Sequence, residues 1–579
     1  MKSVKSVFIA LSAIVILLSG CNSHPDKVVV RIIATTDVHG NIFDKDLISE
    51  TEREGSLAKL SSFLKKEREE YRNVVYLDAG DILQGAVDVY QDITAQYFRP
   101  CLASEAYNLL GCDAVTMGNH DVQAGPLSWD RFLENARFPM LGANVFVEDT
   151  VRYLPPFTVI EREGLRIAVL GLTTDLVAYS VPQNSGSGLE IHGALEQAEF
   201  WVPQLKDKYN ADVVIGLFHS GFENGRMDDA GVYENITRKL VHEVPGFDLV
   251  IYGHDHVARC VREPLGEGDT LLLINPGPYA RNVAAVTLTA DYTVSDKPVV
   301  TVSGGLEDIT GQIPDNTFLK SLSGWYDDVR SYADSTLGKI KTPLDNKGAL
   351  WRTPTGMEYV HSIHMRFYGA EVSLASPTST RDYYPAGDFS MRDAFNAFQY
   401  DNNLVSVMLK GSEIKDILEF SASQFYNTVK KKGDSLLKTR KYSDGTTGPE
   451  TNPSRFITAA GIDYTIDVTK PAGSRVNISS MADGSKFDPG RRYRTTINSF
   501  FYAGQESTLF QATGIARKSM PGRLNGVSPT DIRYYMLTDF ALNGKTGIKV
   551  TYPTHWKLIP ESLVQDCLAN DTVQFSFIH

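Results

Sequence analysis

The chain has little of what a membrane-spanning, nucleic-acid-binding or thiol-based protein needs. After the N-terminal apolar run, no stretch is long and apolar enough to cross a bilayer. Basic residues are in deficit, with 57 Lys and Arg against 70 Asp and Glu and a formal charge of −13. That balance argues against a nucleic-acid polymer as partner, which normally requires a basic face. Only five cysteines occur in 579 residues, and none are in CxxC spacing, so neither a zinc knuckle nor a redox dithiol is indicated. Cys101 and Cys112 are near enough in sequence to be bridged in an oxidising compartment, and the sequence leaves that open. No internal repeat is visible. An acidic protein that binds phosphate must find positive charge locally, and bound metal ions are one source of it.

What is present suffices for large cores. The chain is 42% hydrophobic and 22% charged, an ordinary globular composition, and its length implies more than one domain. At the N-terminus, Lys2 and Lys5 precede an apolar run, Val7–Leu18, which ends in Leu18-Ser19-Gly20-Cys21. Small residues followed directly by Cys look like a bacterial lipobox, with 1–20 as signal peptide and Cys21 as the lipidated residue. A transmembrane helix is the competing reading. The run is short for that, and polar residues follow Cys21 at once.

From Val28 to about Glu307, short apolar runs end in polar, metal-binding residue types. Val28–Ala34, Val74–Leu77, Ala114–Met117, Val213–Phe218 and Leu249–Tyr252 read as buried strands. Leu57–Tyr71 and Ala194–Tyr209 read as helices between them. The pattern is α/β, in which functional residues gather where strands stop and loops begin. Thr317–Lys339 reads as a mostly helical connector. Beyond residue 340 come helix candidates at Met391–Phe398 and Ser412–Gln424, and an exposed, turn-prone loop at Lys430–Asn452.

Five short motifs follow these runs: Asp37-Val38-His39, Gly80-Asp81, Gly118-Asn119-His120-Asp121, His219, and Gly253-His254-Asp255-His256. Each alone is weak; an isolated Asp-x-His is more often a capped loop than a ligand pair. Together they take five of the 12 histidines and place each just after an expected strand. Oxygen and imidazole donors without thiolate suit Mn, Zn, Fe, Co or Ni. A carboxylate able to bridge two such ions, with His and Asn on either side, makes a dinuclear hydrolytic centre. Ions in such centres sit ~3.5–4 Å apart and lower the pKa of a water between them.

The motif series resembles that of the calcineurin-like metallophosphoesterases, and within them the 5′-nucleotidase / 2′,3′-cyclic phosphodiesterase family. The resemblance implies that Asp37, His39, Asp81 and His256 hold one metal, and that Asp81, Asn119, His219 and His254 hold the other. It implies that His120 stabilises the transition state and protonates the leaving oxygen. Many 5′-nucleotidases pair this histidine with an Asp three residues on, where this chain has Gln123. Asp121 then either orients His120 or only caps the loop.

The resemblance extends to the second half through Pro385–Ser390, Asn403–Gly411 and Gly461–Asp467. It implies a fold of a β-sandwich-type metallophosphoesterase domain flanked by helices plus an α+β substrate-binding domain. The corresponding boundaries are 27–310, a linker at 311–340, a second domain at 341–552, and a tail at 553–579 that the resemblance leaves unexplained. Phe456 and Phe500 fall where the family holds the base between two rings, and Arg381 where it contacts phosphate or ribose. The family's Asn-Gly-Gly-Gly-Ile-Arg loop reads Ser376–Arg381 here, and its Gly-Gly-Asp-Gly motif reads Gly504–Ser507. Pro377 removes glycine flexibility and a backbone donor. With Pro-Ala-Gly-Asp at 385–388 and the Ile466–Ala472 run, these departures lean toward the cyclic-phosphodiesterase/3′-nucleotidase branch.

The expectation is therefore an exported, lipid-anchored enzyme of periplasm or cell surface. It would use two divalent ions to open 2′,3′-cyclic nucleotides and remove the 3′-phosphate, scavenging nucleotides. The rivals are a 5′-nucleotidase or nucleotide-sugar hydrolase and, from another class, a non-catalytic nucleotide-binding lipoprotein.

Overall fold

Alternate residues of strand Lys27–Thr35 face opposite sides, and both sides are covered. Val28, Val30, Ile32 and Ala34 point into one apolar layer, while Ile33 points into another. That two-sided burial is why the strand reads as a nearly continuous apolar run. Arg31 interrupts it, and its guanidinium is held by Glu67 at 2.6 Å and Glu307 at 2.7 Å.

The computed structural model describes residues 25–95, 99–148, 150–175, 188–227, 233–266, 268–295, 297–379, 381–398, 402–442, 445–503, 508–516, 519–520, 522–543, 545–550 and 555–574. Its first domain is a sandwich of two six-stranded sheets. In one, the order is Val299–Asp308, Asn282–Asp291, Lys27–Thr35, Val74–Asp78, Ala114–Thr116 and Met140–Leu141. In the other, it is Arg259–Gly266, Asp269–Asn275, Leu249–Tyr252, Val213–His219, Leu165–Thr173 and Phe157–Arg162. Val30, Ile32, Val75 and Leu77 from the first meet Ile167, Val169, Ile215, Leu217 and Ile251 from the second in one dry layer. Helices Leu57–Glu70 and Leu102–Leu110 cover the outer face of the first sheet. Ala194–Asp207 and Thr237–Glu243 cover that of the second.

The central strands run parallel: Lys27–Thr35 beside Val74–Asp78 and Ala114–Thr116, and Leu165–Thr173 beside Val213–His219 and Leu249–Tyr252. Their carboxyl ends open on one edge of the sandwich, where every loop carrying a motif emerges.

The connector is two short helices, Asn316–Ser321 and Ser323–Asp334, and its last residues enter strand Thr336–Ile340 instead of continuing as helix. Phe318, Leu322 and Val329 pack into the first domain's outer core, with Tyr326 edge-on to Phe43 at 5.1 Å. The second domain has a five-stranded sheet, Thr458–Ala460, Val372–Ala375, Arg492–Asn498, Asn403–Lys410 and Leu524–Asp531. Helices Thr355–Arg366 and Gly411–Phe425 pack against it. Between the domains, Arg392 donates to the carbonyls of Leu47 and Ile48 and to Asp334. The Arg533 guanidinium lies over Tyr90 at 4.7 Å and Phe395 at 4.5 Å.

One expectation changes here, and one open point is decided. Residues 555–574 of the segment left as a tail join the second domain: strand His555–Ile559 pairs parallel with Ile462–Asp467, and helix Glu561–Gln574 follows. Cys101 and Cys112 are free thiols at opposite ends of helix Leu102–Leu110. Nine residues of helix hold them about 13 Å apart, beyond disulfide reach. Cys21 lies outside the described residues, among which no helix is long and apolar enough to cross a membrane.

Candidate metal centre

Each motif is carried to the sandwich edge by the strand before it. Two residues past Thr35 the backbone turns left-handed at Asp37 and again at His39, with φ near 50° at both. Asp81, His254 and His256 are left-handed as well, at 64°, 78° and 57°. Such angles are costly for residues with a Cβ, and their concentration on proposed ligands places strain at this edge. Two glycines let the loops approach. A Cβ on Gly118 would lie 2.1 Å from Asp81 Oδ1, and one on Gly253 would lie 1.8 Å from Thr36 Oγ1.

The loops bring together two donor groups. Asp37, His39 and His256 converge with their donor atoms within 4.8 Å of one another, and so do Asp81, His219 and His254. Asn119 joins the second group through Oδ1, 3.0 Å from His219 Nε2, and His219 Nε2 is also 3.0 Å from Asp81 Oδ2. Asp37, Asp81 and His219 are almost wholly buried, whereas His256 lies on the open side.

The outward nitrogens show which atoms remain for a ligand. His219 Nδ1 donates to the Ala79 carbonyl at 2.8 Å and His39 Nδ1 to the Gln84 carbonyl at 3.1 Å. In each ring Nε2 is thus the nitrogen that faces inward, and it is the one a metal ion would bind once free of its proton. His39 Nε2 lies only 3.0 Å from His256 Nε2. Asp37 Oδ1 is buried without a hydrogen-bond partner among the described residues. His256 Nε2 is also 3.3 Å from Asp37 Oδ1, so two imidazole nitrogens and a buried carboxylate oxygen turn to one point, an arrangement that a cation there, a proton or a metal ion, holds together.

Electrostatics agree. Burial pulls Asp81 upward, yet the imidazoles around it, His219 foremost, hold it well below the usual carboxylate range. Burial opposes protonation of His219, but Asp81 overrides it and pushes that imidazole up to about 10. Two buried carboxylates therefore demand positive charge at this spot, and divalent ions on these donors would supply it. The oxygen and imidazole donor set fits Mn, Zn, Fe, Co or Ni.

His120 sits beside this centre with its ring 5.4 Å from that of His39. Burial pushes it down to about 4 despite the opposing pull of Asp81, so it is neutral near pH 7. Its Nδ1–H donates to Gln123 Oε1 at 2.6 Å. Of the two roles the sequence left open for Asp121, orienting His120 or capping the loop, its hydrogen bonds fit the cap. One oxygen accepts from the backbone N–H of Asp81 and Gly118, and the other from Ile82 and Leu83. With both oxygens spent on the loop that carries Asp81, Asp121 is a loop cap and has no contact with the imidazole.

The second-domain residues divide. Phe500 is 47% exposed at the start of helix Ser499–Ala503. Phe456 is completely buried, its ring 5.1 Å from Phe425, 5.7 Å from Tyr426 and 6.0 Å from Trp556. The expectation that it stacks on a base is corrected: the C-terminal strand delivers Trp556 onto it, and it is a core residue. Arg381 is exposed and pairs with Asp393 at 2.8 Å, beside a cleft lined by Trp351, Pro377 and Pro449. Gly504–Ser507 and Thr380 lie outside the described residues.

Sequence reasoning missed two neighbours. Tyr279, left-handed at φ 67°, sets its ring 5.8 Å from His39 and 6.1 Å from His256. Glu234 places Oε1 3.0 Å from His254 Nε2. Neither lies in a motif, and the preceding Pro276-Gly277-Pro278 turn was the one local signal, for Tyr279.

Comparison with known proteins agrees with this architecture. Residues 30–258 match the family described as calcineurin-like phosphoesterase, and residues 338–514 match the 5′-nucleotidase C-terminal domain. A Bacillus subtilis protein described as a trifunctional nucleotide phosphoesterase is 25% identical over 83% of this chain, which spans 36% of that longer protein. The Salmonella typhimurium 2′,3′-cyclic-nucleotide 2′-phosphodiesterase/3′-nucleotidase is 24% identical, covering 84% of this chain and 82% of its own length. Among solved structures, a Staphylococcus aureus candidate 5′-nucleotidase superposes with a TM-score of 0.69 over 92% of this chain and all of that one, at 20% identity.

Proposed function

We propose that this chain, whose first domain belongs to the calcineurin-like phosphoesterases and whose second is a 5′-nucleotidase C-terminal domain, hydrolyses nucleotide phosphoesters with two divalent metal ions. The observation that carries the reading is the convergence of the two donor groups on one edge, with the Nε2 atoms of His39 and His256 3.0 Å apart beside the buried Asp37 carboxylate. Ions held there would supply Lewis-acid polarisation of the phosphoryl group and an activated water.

The chain's own residues do the rest. Asp81, grouped with His219 and His254, would by the family resemblance hold both ions. His120, held through Nδ1 by Gln123, presents Nε2 for proton exchange. In the neutral ring Nε2 is a lone pair, so it first takes a proton from solvent and then passes it to the departing oxygen as the P–O bond to the ribose breaks, returning His120 to its neutral form. Phe500 offers its exposed ring to the base, and Arg381 its guanidinium to phosphate or ribose.

The preferred substrates in this reading are 2′,3′-cyclic nucleotides and then 3′-nucleotides. A metal centre alone does not distinguish which ribose oxygen leaves, so the preference lies in how the second domain presents the ribose. Pro377 stiffens the loop that would do this. Domain limits of 27–310 and 341–579, an export signal at 1–20 and a lipid anchor at Cys21 complete the reading. Together they describe extracytoplasmic nucleotide scavenging.

Phosphate release from 2′,3′-cAMP, 3′-AMP, 5′-AMP and a nucleotide sugar, with added Mn²⁺, tests it. The expected order of kcat/KM is cyclic, then 3′, then 5′. A preference for 5′-AMP of tenfold or more, about 1.4 kcal/mol in the transition state, would replace the 3′ assignment with a 5′-nucleotidase.

A further inference from the structure

We infer that Glu234 is a positioning residue for the metal centre, a buried carboxylate that sets the tautomer and orientation of His254. The inference rests on the reading of this edge as a metal site. Glu234 is 1% exposed, on strand Tyr233–Asn235, and its Oε1 lies 3.0 Å from His254 Nε2. A carboxylate only accepts, so the imidazole proton sits on Nε2 and the Nδ1 lone pair remains for the group formed with Asp81 and His219.

The outward nitrogens of His39 and His219 donate to backbone carbonyls, whereas that of His254 donates to a carboxylate. A carboxylate makes the opposite nitrogen a stronger donor than a neutral carbonyl does. It also adds a buried negative charge beside this group. Isolated, such a charge would be costly; next to a cation it is favourable.

The strand is built to hold the carboxylate in place. The Glu234 carbonyl accepts from Thr174 Oγ1 at 2.8 Å and Ser220 Oγ at 3.0 Å, and Asn235 Oδ1 accepts from the Gly221 N–H at 3.0 Å. Ser220 directly follows His219. Glu234 is therefore tied through its backbone to the loop after one ligand imidazole and through its side chain to another. Displacing it perturbs the Asp81–His219–His254 group directly, through its bond to His254, whereas Asp37, His39 and His256 make up the other donor group.

Calorimetric Mn²⁺ titration of the chelator-stripped full chain tests this with Glu234→Gln and Glu234→Ala. The wild type is expected to take up two equivalents. In Glu234→Ala one equivalent should weaken about 10–100-fold, the usual cost of losing a partner behind a metal-bound histidine, while the other is unchanged. Glu234→Gln keeps an acceptor oxygen and should fall between, and saturating Mn²⁺ should restore most of its turnover, which a purely structural lesion would not allow. If Glu234→Ala does not fold, the near-isosteric Gln variant decides alone. Variants with two equivalents at wild-type affinity overturn the role of Glu234 and leave the metal site standing. A wild type that takes up no Mn²⁺ overturns both.

Discussion

The Nδ1 of His120 lies 2.6 Å from Oε1 of Gln123, one helical turn further on, while the intervening Asp121 turns its carboxylate to the backbone of the Asp81 loop. A neutral amide thus does the orienting, and the carboxylate does the scaffolding. The two residues should fail in different ways. Gln123→Leu should lower kcat by roughly tenfold or more as the ring loses its hold, with metal content and melting temperature nearly unchanged. Asp121→Asn sets an NH₂ against backbone donors, so stability, bound metal and activity should fall together. Metal analysis, calorimetry and turnover on both variants separate these outcomes, and an Asp121→Asn protein that loses turnover alone would restore Asp121 to catalysis.

Asp81, which the proposed function gives to both ions, also accepts the backbone N–H of His120 at 2.8 Å. Asp81→Asn should lose most activity and at least one equivalent of metal, since the bridging charge is removed from both sites. By contrast, His120→Asn should cut turnover by roughly 10²–10⁴-fold with metal retained. Plasma emission analysis beside turnover decides; two tightly held ions and near-normal rates in Asp81→Asn would refute the bridge.

The two phenylalanines make opposite demands. Phe500→Ala should raise KM for nucleotides several-fold or more, in line with stacking worth ~1–3 kcal/mol per base. Hydrolysis of bis(p-nitrophenyl) phosphate should change far less. Phe456→Ala empties a core site and should cost about 3–5 kcal/mol of stability, with both substrates affected alike. A nucleotide-selective loss in Phe456→Ala, without a fall in melting temperature, would put its ring back in the substrate site.

Acid should weaken the second domain through two buried imidazoles. Burial pushes His361 down to about 3 and His364 down to about 4. His361 is completely enclosed, against the hydroxyls of Ser373 at 2.8 Å and Thr458 at 3.0 Å. The unfolded chain protonates near pH 6.5 and the folded one does not, so below that pH the unfolded state binds more protons and stability falls with acidification. Each group contributes a slope of about 1.4 kcal/mol per pH unit, from about pH 6.5 down to its folded value. His361→Gln should flatten the decline of stability between pH 6.5 and 4.5, whatever it does to stability at pH 7. Unfolding transitions followed across that range would count against the argument if wild type and variant declined in parallel.

Much of this was legible in one dimension because it is local. A buried parallel strand must be apolar and must end, and the residue after its end is fixed within one or two positions. That is why Asp37, Asp81, Asn119, His219 and His254 stood out after their strands and why an α/β pattern could be expected, while the sandwich and the ligand roles came with the family resemblance. The loop lesions at Ser376–Arg381 were equally plain, since Pro and Gly act on their own backbone.

Contacts across long separations decided the rest. Asp121 follows His120 in sequence, but a short helix sends their side chains apart and brings Gln123 beneath the ring instead. Phe456 matched a stacking position until the strand at His555–Ile559, about a hundred residues on, paired with Ile462–Asp467 and laid Trp556 against it. Glu234 stands outside every motif and reaches His254 only because strand Tyr233–Asn235 folds back against the loop that carries it. Sequence alone determined which donors and strands this protein has; only the tertiary structure decided what stands behind each donor, because a hydrogen bond or a ring contact joins residues by distance in space and leaves no period in the chain.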